Sequence, residues 1–589
     1  METGTRDTRD AVVRVDLTAG TVERERVPES WRRRYLGGKG LGARYLYEEL
    51  GAGTDPLGPD NALLFLLGPL SGLLPGESRY AAVTKSPLTG AFLDSYSGGA
   101  FPDRLAGAVP EALGVVVVGA AADPVTLVLE DGGGRLVPAA DLWGADAAET
   151  AAAYEGAVAC VGPAGENEVR YATIAAEGGD HHAGRGGAGA VMGSKRLKAV
   201  VARGDPPEGL DGLRAEYAER YRERATGRWQ RAGETLESVD FADEVGVLAT
   251  RGWQGGQFEG ADGIGIEAAR EASVERERPD DEDGLPGGFR VAAEEDGTVP
   301  RGAAPMSLGA GLGVDEFDAV ATLGATCDRL GLDVISAGNA VAWAMRAGEA
   351  GAVDSGLSFG DDEAARDLIE AIATRDGPLA DALADGVAAA AARLGGDDLV
   401  PTVKSMELPA YDPRGAVGMA LAYATSDRGA CHRRARPVER EVFEDWGVAD
   451  RVTAVVAAQD ARSTLWSLVA DDFVGEELRD LGAEWLRAVG REYTVDDLWT
   501  VGERVWTLTR LFNAREGFDR SDDELPPALR EPLADGPAAG ESVDAETFDR
   551  LLDAYYRRRG WSADGLPTAE TVERLGLDGV VDDDTPLGS

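Results

Sequence analysis

The sequence predicts an α+β protein, with a β-rich N-terminal base followed by two mainly α-helical domains. Three observations carry this. The first 200 or so residues hold short apolar runs separated by glycine-rich turns. After about residue 205, apolar residues recur at helical spacing, most plainly in the alanine-rich stretches 315–349 and 364–393. A proline-containing crossing at 408–413 then divides the helical part. The expected domains are 1–205, 206–400 and 401–589.

In the base, residues 12–17 and 21–27 flank a Thr-Ala-Gly turn and predict a hairpin. Short strands are expected at 62–67, 80–84, 115–118, 125–129, 157–161, 170–175 and 197–202, with one early helix at 42–50. Residues 213–231 have helical spacing and mixed charge. Residues 273–302 are acidic and Gly-rich and are expected to form an exposed loop. The last third carries helical patterns at 460–471, 476–489, 495–511 and 545–558. No internal repeat of fixed period is present.

The formal net charge is −46 and the pI about 4.4, which disfavours nucleic-acid and anionic-membrane partners. Arginine supplies all but five of the 59 basic residues; the lysines are Lys39, Lys85, Lys195, Lys198 and Lys404. An acidic, lysine-poor surface suits a salt-filled cytoplasm, where the Debye length falls to about 3 Å at 1 M. No apolar run approaches a membrane span, and the N-terminus lacks an apolar signal core, so a cytoplasmic protein is expected. Three scattered cysteines, Cys160, Cys327 and Cys431, suggest no disulfide framework.

Four glycine-rich stretches stand out: Gly37-Gly38-Lys39-Gly40-Leu41-Gly42, Lys85 to Gly90, Ser95-Tyr96-Ser97-Gly98-Gly99, and Gly184-Arg185-Gly186-Gly187 running on to Lys195. Glycine lets backbone N–H groups approach a ligand and line an anion-binding concavity. Arg79 and Arg185 can add bidentate phosphate contacts. Gly193-Ser194-Lys195 has the wrong order for a Walker loop, and Gly187, Gly189 and Gly193 miss the Rossmann spacing by one residue. Any one such loop can arise by chance among 79 glycines; four interleaved with Arg and Lys point to a ligand. All five lysines and the three histidines, His181, His182 and His432, lie in or beside these stretches or the 404–409 segment, which implies specific local roles.

The ordered segments GGKGLGARYLYEEL, TKSPLTG, DSYSGG, GPAGEN and GRGGAGAVMGSKRLKAVV are similar to the N-terminal domain of the aldehyde ferredoxin oxidoreductase family. The resemblance resumes at CDRLGLDVISAGNAVAWAM, VKSMELPAYDPRGAVGMALAYATSDRGACHRRA and FNAREGFDRSDDELP. It implies a tungsten, or molybdenum, bis-pterin centre with magnesium on the pterin phosphates. The implied reaction converts a small aldehyde and water to a carboxylic acid and passes electrons through a [4Fe–4S] cluster to ferredoxin. By the same resemblance, Arg79, Ser95, Ser97, Gly98, Gly99, Ala183, Gly184, Arg185 and Gly186 contact the pterins. Asp328, Gly331 and Asp333 belong to an Asp-x-x-Gly-Leu pattern that receives a pterin ring, and His432 stands near the metal, where it can orient substrate or shuttle a proton.

Three features depart from that pattern. The segment 273–305, where the family carries three cluster cysteines, has none, and the fourth position falls near Asp471. In the second Asp-x-x-Gly-Leu pattern, Trp466 and Val469 stand where Asp and Gly belong. A family glutamate proposed as base falls near Met306. The expectation is therefore a cluster-free oxidoreductase, with a non-catalytic or regulatory homologue as the alternative. The sequence leaves a homodimer open.

Overall fold

The computed structural model describes residues 8–278, 287–293 and 297–589. β1 (Ala11–Asp16) and β2 (Thr21–Arg26) form the expected hairpin. With β3 (Leu63–Leu66), β4 (Tyr80–Lys85), β5 (Phe92–Ser97) and β6 (Ala112–Val118) they build a sheet in the order β2-β1-β6-β3-β4-β5. A second sheet follows: β7 (Val125–Glu130), β8 (Gly133–Pro138), β9 (Ala157–Cys160), β10 (Ile174–Ala176), β11 (His181–Ala183) and β12 (Leu197–Ala202). Its order is β8-β7-β12-β9-β10-β11. This is the same connection pattern used twice, including one parallel pair per sheet, β1 with β6 and β7 with β12. The sequence carries no matching repeat, so the duplication is one of topology.

Alternate residues of both sheets, such as Val13, Val15, Leu63, Phe65, Leu127 and Leu129, share one buried layer, as the two-residue period of a strand requires. The opposite face of the first sheet, with Val12, Leu64 and Val83, packs with helix Gly38–Glu49 and helix Val495–Arg515. A further apolar core takes in Leu88, Ala164 and Tyr171 of the base and continues from Val239 to Trp561, so helices on both sides of the 408–413 crossing share it.

Several expectations need correction. The strand expected at 170–175 shrinks to β10, because Arg170 N–H and Thr173 N–H bond the Ala384 and Gly331 carbonyls rather than a sheet neighbour. β5 was not expected, since its buried Asp94, Ser95 and Ser97 hide the apolar alternation. The glycine-rich stretch after Gly187 is a helix, Ala188–Ser194. The 315–349 pattern is two helices, Phe317–Leu330 and Val334–Glu349, and 364–393 is three, broken at glycines. The expected loop 273–302 contains a hairpin, Ser273–Arg276 with Phe289–Val291, whose Phe289 and Val291 are buried; its residues 279–286 and 294–296 lie outside the described residues.

All five lysine side chains are buried. Lys39 pairs with Asp94 at 3.2 Å and with Asp427. Lys85 meets Glu516 at 2.5 Å, Lys198 meets Glu166 at 2.5 Å, and Lys404 meets Asp523 at 2.6 Å. Lys195 donates to the Pro59, Asn61 and Gly119 carbonyls, and burial pushes its ammonium down to about 8. Four of the five therefore tie segments more than 30 residues apart, and Lys195 does the same through carbonyls alone. The compact, multi-donor ammonium fits these sites better than a planar guanidinium.

Candidate functional site

The two sheets meet where β5 lies beside β11, and Ser95 Oγ donates to the Gly184 carbonyl across the join. Each strand then runs into its glycine turn, Gly98-Gly99 or Gly184 to Gly187, and each turn leads into a helix, Phe101–Ala108 or Ala188–Ser194. Over this join lies a cavity of about 340 Å³, roofed by helical segments. Arg79, Ser95, Ser97, Gly98, Gly184, Arg185, Asp328, Asp333 and His432 all line it. Gly99, Ala183, Gly186 and Gly331 are not on its wall and shape the backbone behind.

Two helix ends face the base in the same way. Helix Phe317–Leu330 closes with Gly331 N–H on the Asp328 carbonyl and Leu332 N–H on the Cys327 carbonyl. Helix Val448–Ser467 closes with Val469 N–H on the Trp466 carbonyl and Ala470 N–H on the Leu465 carbonyl. Both are the paired bonds of a Schellman stop. It requires a left-handed residue, and φ is 75° at Gly331 and 57° at Val469. Each end rests on a Gly-Pro step after the third strand of its sheet. A Cβ on Gly162 would stand 2.6 Å from the Leu330 carbonyl, and one on Gly68 would collide with the Leu468 carbonyl. Two residues after each left-handed position an aspartate caps the next helix: Asp333 accepts from Ser336 N–H, and Asp471 from Phe473 and Val474 N–H.

Each capping aspartate also takes an arginine. Arg185 presents its backbone N–H to Asp333 at 3.0 Å, and its guanidinium reaches Asp333 and the Glu407 and Ala430 carbonyls. Its donors therefore hold the roof to the base, a commitment the sequence did not reveal. Arg79 places Nε and Nη2 both 3.1 Å from Asp471 Oδ2 and meets Glu77 at 2.8 Å. Asp328 accepts from Thr298 at 3.0 Å and faces His182 Nε2 at 3.2 Å. Its counterpart Trp466 instead turns into the core, stacks on Tyr96 and donates Nε1–H to Asp472 at 2.9 Å.

The roof over the cavity is cationic around Cys431 and His432. Arg428 donates to Cys431 Sγ at 3.1 Å. Burial pushes the Cys431 thiol up, but Arg428, Arg434 and Arg185 outweigh it and bring it down to about 7. His432 sits edge-on to Tyr411 with ring centroids 5.9 Å apart. Burial, then Arg436, Arg433, Arg185 and Arg428, hold its imidazole well below the usual range, so it is neutral at pH 7. Met306 lines the wall in a turn of π-helix, Pro305–Ala310. The sequence places Cys327 and Cys431 at the cavity through their neighbours Asp328 and His432; Cys431 is there, but Cys327 points into the helical core, and Glu77, Glu277, Arg301 and Arg428 give no local signal.

The residues present do not fit a [4Fe–4S] cluster. Cys160 lies behind the second sheet against the Ala147 carbonyl, Cys327 in the helical core and Cys431 at the cavity. Three thiols in three places cannot supply four converging thiolates. Asp471, near the fourth expected position, is engaged by Arg79.

Residues 12–204 match the aldehyde ferredoxin oxidoreductase N-terminal domain, and residues 213–577 match domains 2 and 3 of the same family. The chain belongs to the aldehyde ferredoxin oxidoreductase family. It is 34% identical to the tungsten-containing aldehyde ferredoxin oxidoreductase of Pyrococcus abyssi, over 96% of this chain and 98% of that one. The Thermococcus kodakarensis enzyme of that name is similar to the same degree, 34% over 96% and 98%. A Pyrococcus furiosus protein described as an aliphatic sulfonate oxidoreductase, WOR-like subunit, is 27% identical over 96% of each chain. Among solved structures, the active site complex BamBC of benzoyl coenzyme A reductase with 1,5-dienoyl-CoA superposes with a TM-score of 0.82 at 24% identity, covering 98% of both chains, and so shares the family's fold. Among the described residues, no helix is long and apolar enough to cross a membrane.

Proposed function

We propose that this family member is a tungsten-pterin oxidoreductase that converts an aldehyde to its carboxylic acid without an iron–sulfur cluster. One observation carries the reading: the cavity stands where both glycine turns converge beneath a neutral His432, in a chain aligned along nearly its whole length with enzymes named for tungsten and aldehydes. Arg79, Ser95, Ser97, Gly98, Gly184 and Arg185 would hold the pterins from the base, with Gly99, Ala183 and Gly186 shaping the turns behind them and magnesium supplying charge to the phosphates. Asp328 would accept from a pterin ring on one side. Asp333 acts behind it, fixing Arg185 and the helix that follows. The bound metal would supply two-electron redox chemistry.

The chain's own residues would do the rest. The uncharged imidazole of His432 would orient the aldehyde or the attacking water by hydrogen bonding, since the burial and arginines that keep it neutral also disfavour its protonation. The arginines around it favour the carboxylate that results. Tyr411 keeps the ring edge-on. Electrons would leave to a ferredoxin-class carrier that docks near the cavity. The division into a base to about residue 205 and helical parts meeting near residue 400 is part of this reading, as is a halophilic, cytoplasmic setting. With a charge of −46, melting temperature should climb steadily from low to molar salt; a flat response would oppose the halophilic reading.

The test is element and pterin analysis of protein purified in high salt, with aldehyde-dependent dye reduction. Tungsten and pterin without iron, together with activity, support the proposal. About four irons per chain with a reduced-cluster EPR signal, or the absence of metal and pterin altogether, overturns it; the latter would favour a non-catalytic homologue. Asp328→Ala should lower pterin content, and Arg185→Ala should lower it further by releasing the roof; full occupancy in both would misplace the site.

A further inference from the structure

We infer that Glu77, His181 and Glu277 form a binding site for one divalent cation of the zinc or ferrous class, at the part of the cavity that Glu77 and His181 line. The three residues come from separate segments: the turn before β4, strand β11, and the end of the Ser273–Arg276 strand. Their side chains are only 8, 7 and 10% exposed. One donor atom from each lies within 4.8 Å of the other two. Two ligands about 2.1 Å from a shared ion sit roughly 3–4.2 Å apart; because the two oxygens now meet different ring nitrogens, one carboxylate must swing to the other's side of the ring for a single ion to reach all three.

The surrounding contacts argue for an ion more strongly than the ligand types do. Both carboxylates are split in the same way. Glu77 Oε2 meets Arg79 Nη2 at 2.8 Å, and Glu277 Oε2 meets Arg301 Nη2 at 2.8 Å. The two Oε1 atoms face the imidazole, at 3.4 Å from Nδ1 and 2.5 Å from Nε2. Arg278 lies 3.4 Å from Glu77 Oε1, a distance it can yield to a cation. Arginines on the outer oxygens fix two monodentate carboxylates around one ring, which is how ligating carboxylates are held at metal centres. Both carboxylates already carry arginine partners, so an ion would compete with Arg278 for Glu77 Oε1; a single imidazole with two oxygens suits zinc or ferrous ion rather than magnesium or calcium. Three protein ligands leave further positions open to the cavity, where water or a substrate oxygen can bind.

The site is independent of the proposed reaction, and its test reads metal rather than turnover. The full chain, treated with chelator in high salt and dialysed against Zn²⁺ or Co²⁺ alone, should retain about one ion. His181→Phe and Glu277→Gln should each weaken uptake more than about tenfold, while Glu275→Gln, on the exposed side of the same strand, should leave it unchanged. X-ray absorption of the wild-type zinc form should show oxygen and a single imidazole nitrogen at about 2.0–2.2 Å, a reading that needs no variant to fold. No retained ion, uptake unchanged in both ligand variants, or a sulfur shell at about 2.3 Å pointing to Cys431 would each overturn the inference.

Discussion

The helix ends at Leu330 and Ser467 have the same backbone and opposite side chains. Both stop with the same pair of hydrogen bonds, rest on a Gly-Pro step and hand over to an aspartate cap. The first places Asp328 on the cavity and uses Gly331 where φ is positive. The second withdraws Trp466 into the core and forces a β-branched Val469 into the left-handed region, an unusual conformation for such a residue. The same backbone geometry thus accommodates two different sets of side chains. What changed at the second end is the chemistry offered to a ligand, and the capping aspartate there answers Arg79.

Three experiments press on that comparison. The largest effect should come from Arg79→Met. It leaves buried Asp471 and Glu77 without their shared cation and should cost about 3–5 kcal/mol in denaturant unfolding at high salt. A loss below about 1 kcal/mol, typical of an exposed pair, would show that the Arg79 contacts are not what holds the second end. Next, exchanging the left-handed residues should be asymmetric. Gly331→Val should cost about 2–3 kcal/mol from backbone strain. Val469→Gly should stay within about 1 kcal/mol, because relieved strain offsets the lost burial of the valine side chain. Equal costs in the two directions would mean that Val469 is not strained.

The smallest effect is in pH, and the two ends should differ in sign. Burial pushes Glu77 up, but Arg79, His181, Arg278 and Arg301 bring it down to about 2. Its contribution is therefore present above its ordinary value near 4.5 and fades as pH falls towards 2. Burial lowers His182, but Asp328 and the Gly179 carbonyl raise it above its ordinary 6.5. Its contribution is complete below that value and fades as pH rises through the folded one. Glu77→Gln should flatten only the acid limb of the stability profile, and His182→Asn only the alkaline limb. Matching changes on one limb would break the contrast.

Much of this was legible in the sequence, because glycine turns and apolar alternation are local signals. The hairpin at residues 11–26 and strands β3, β4, β7 and β12 were readable in that way. β5 was not, since its polar residues are buried by the site itself. The repeat of topology was invisible because it needs only strand order, not similar residues. In the site, Asp328 and His432 stood out through motif and rarity. Of the triad only His181 stood out, by rarity; Glu77 and Glu277 did not, because about 100 residues separate each member from the next and only the fold brings them together.

The interior lysines make the folded surface one without ε-amines. Reagents that acylate or crosslink lysine should pass over the native chain at all five positions and find them together only when it opens. Amine reactivity thus becomes a count of unfolded molecules, and immobilisation through lysine would select for damaged protein. Any cellular tag attached to lysine would mark this chain only after its fold had failed.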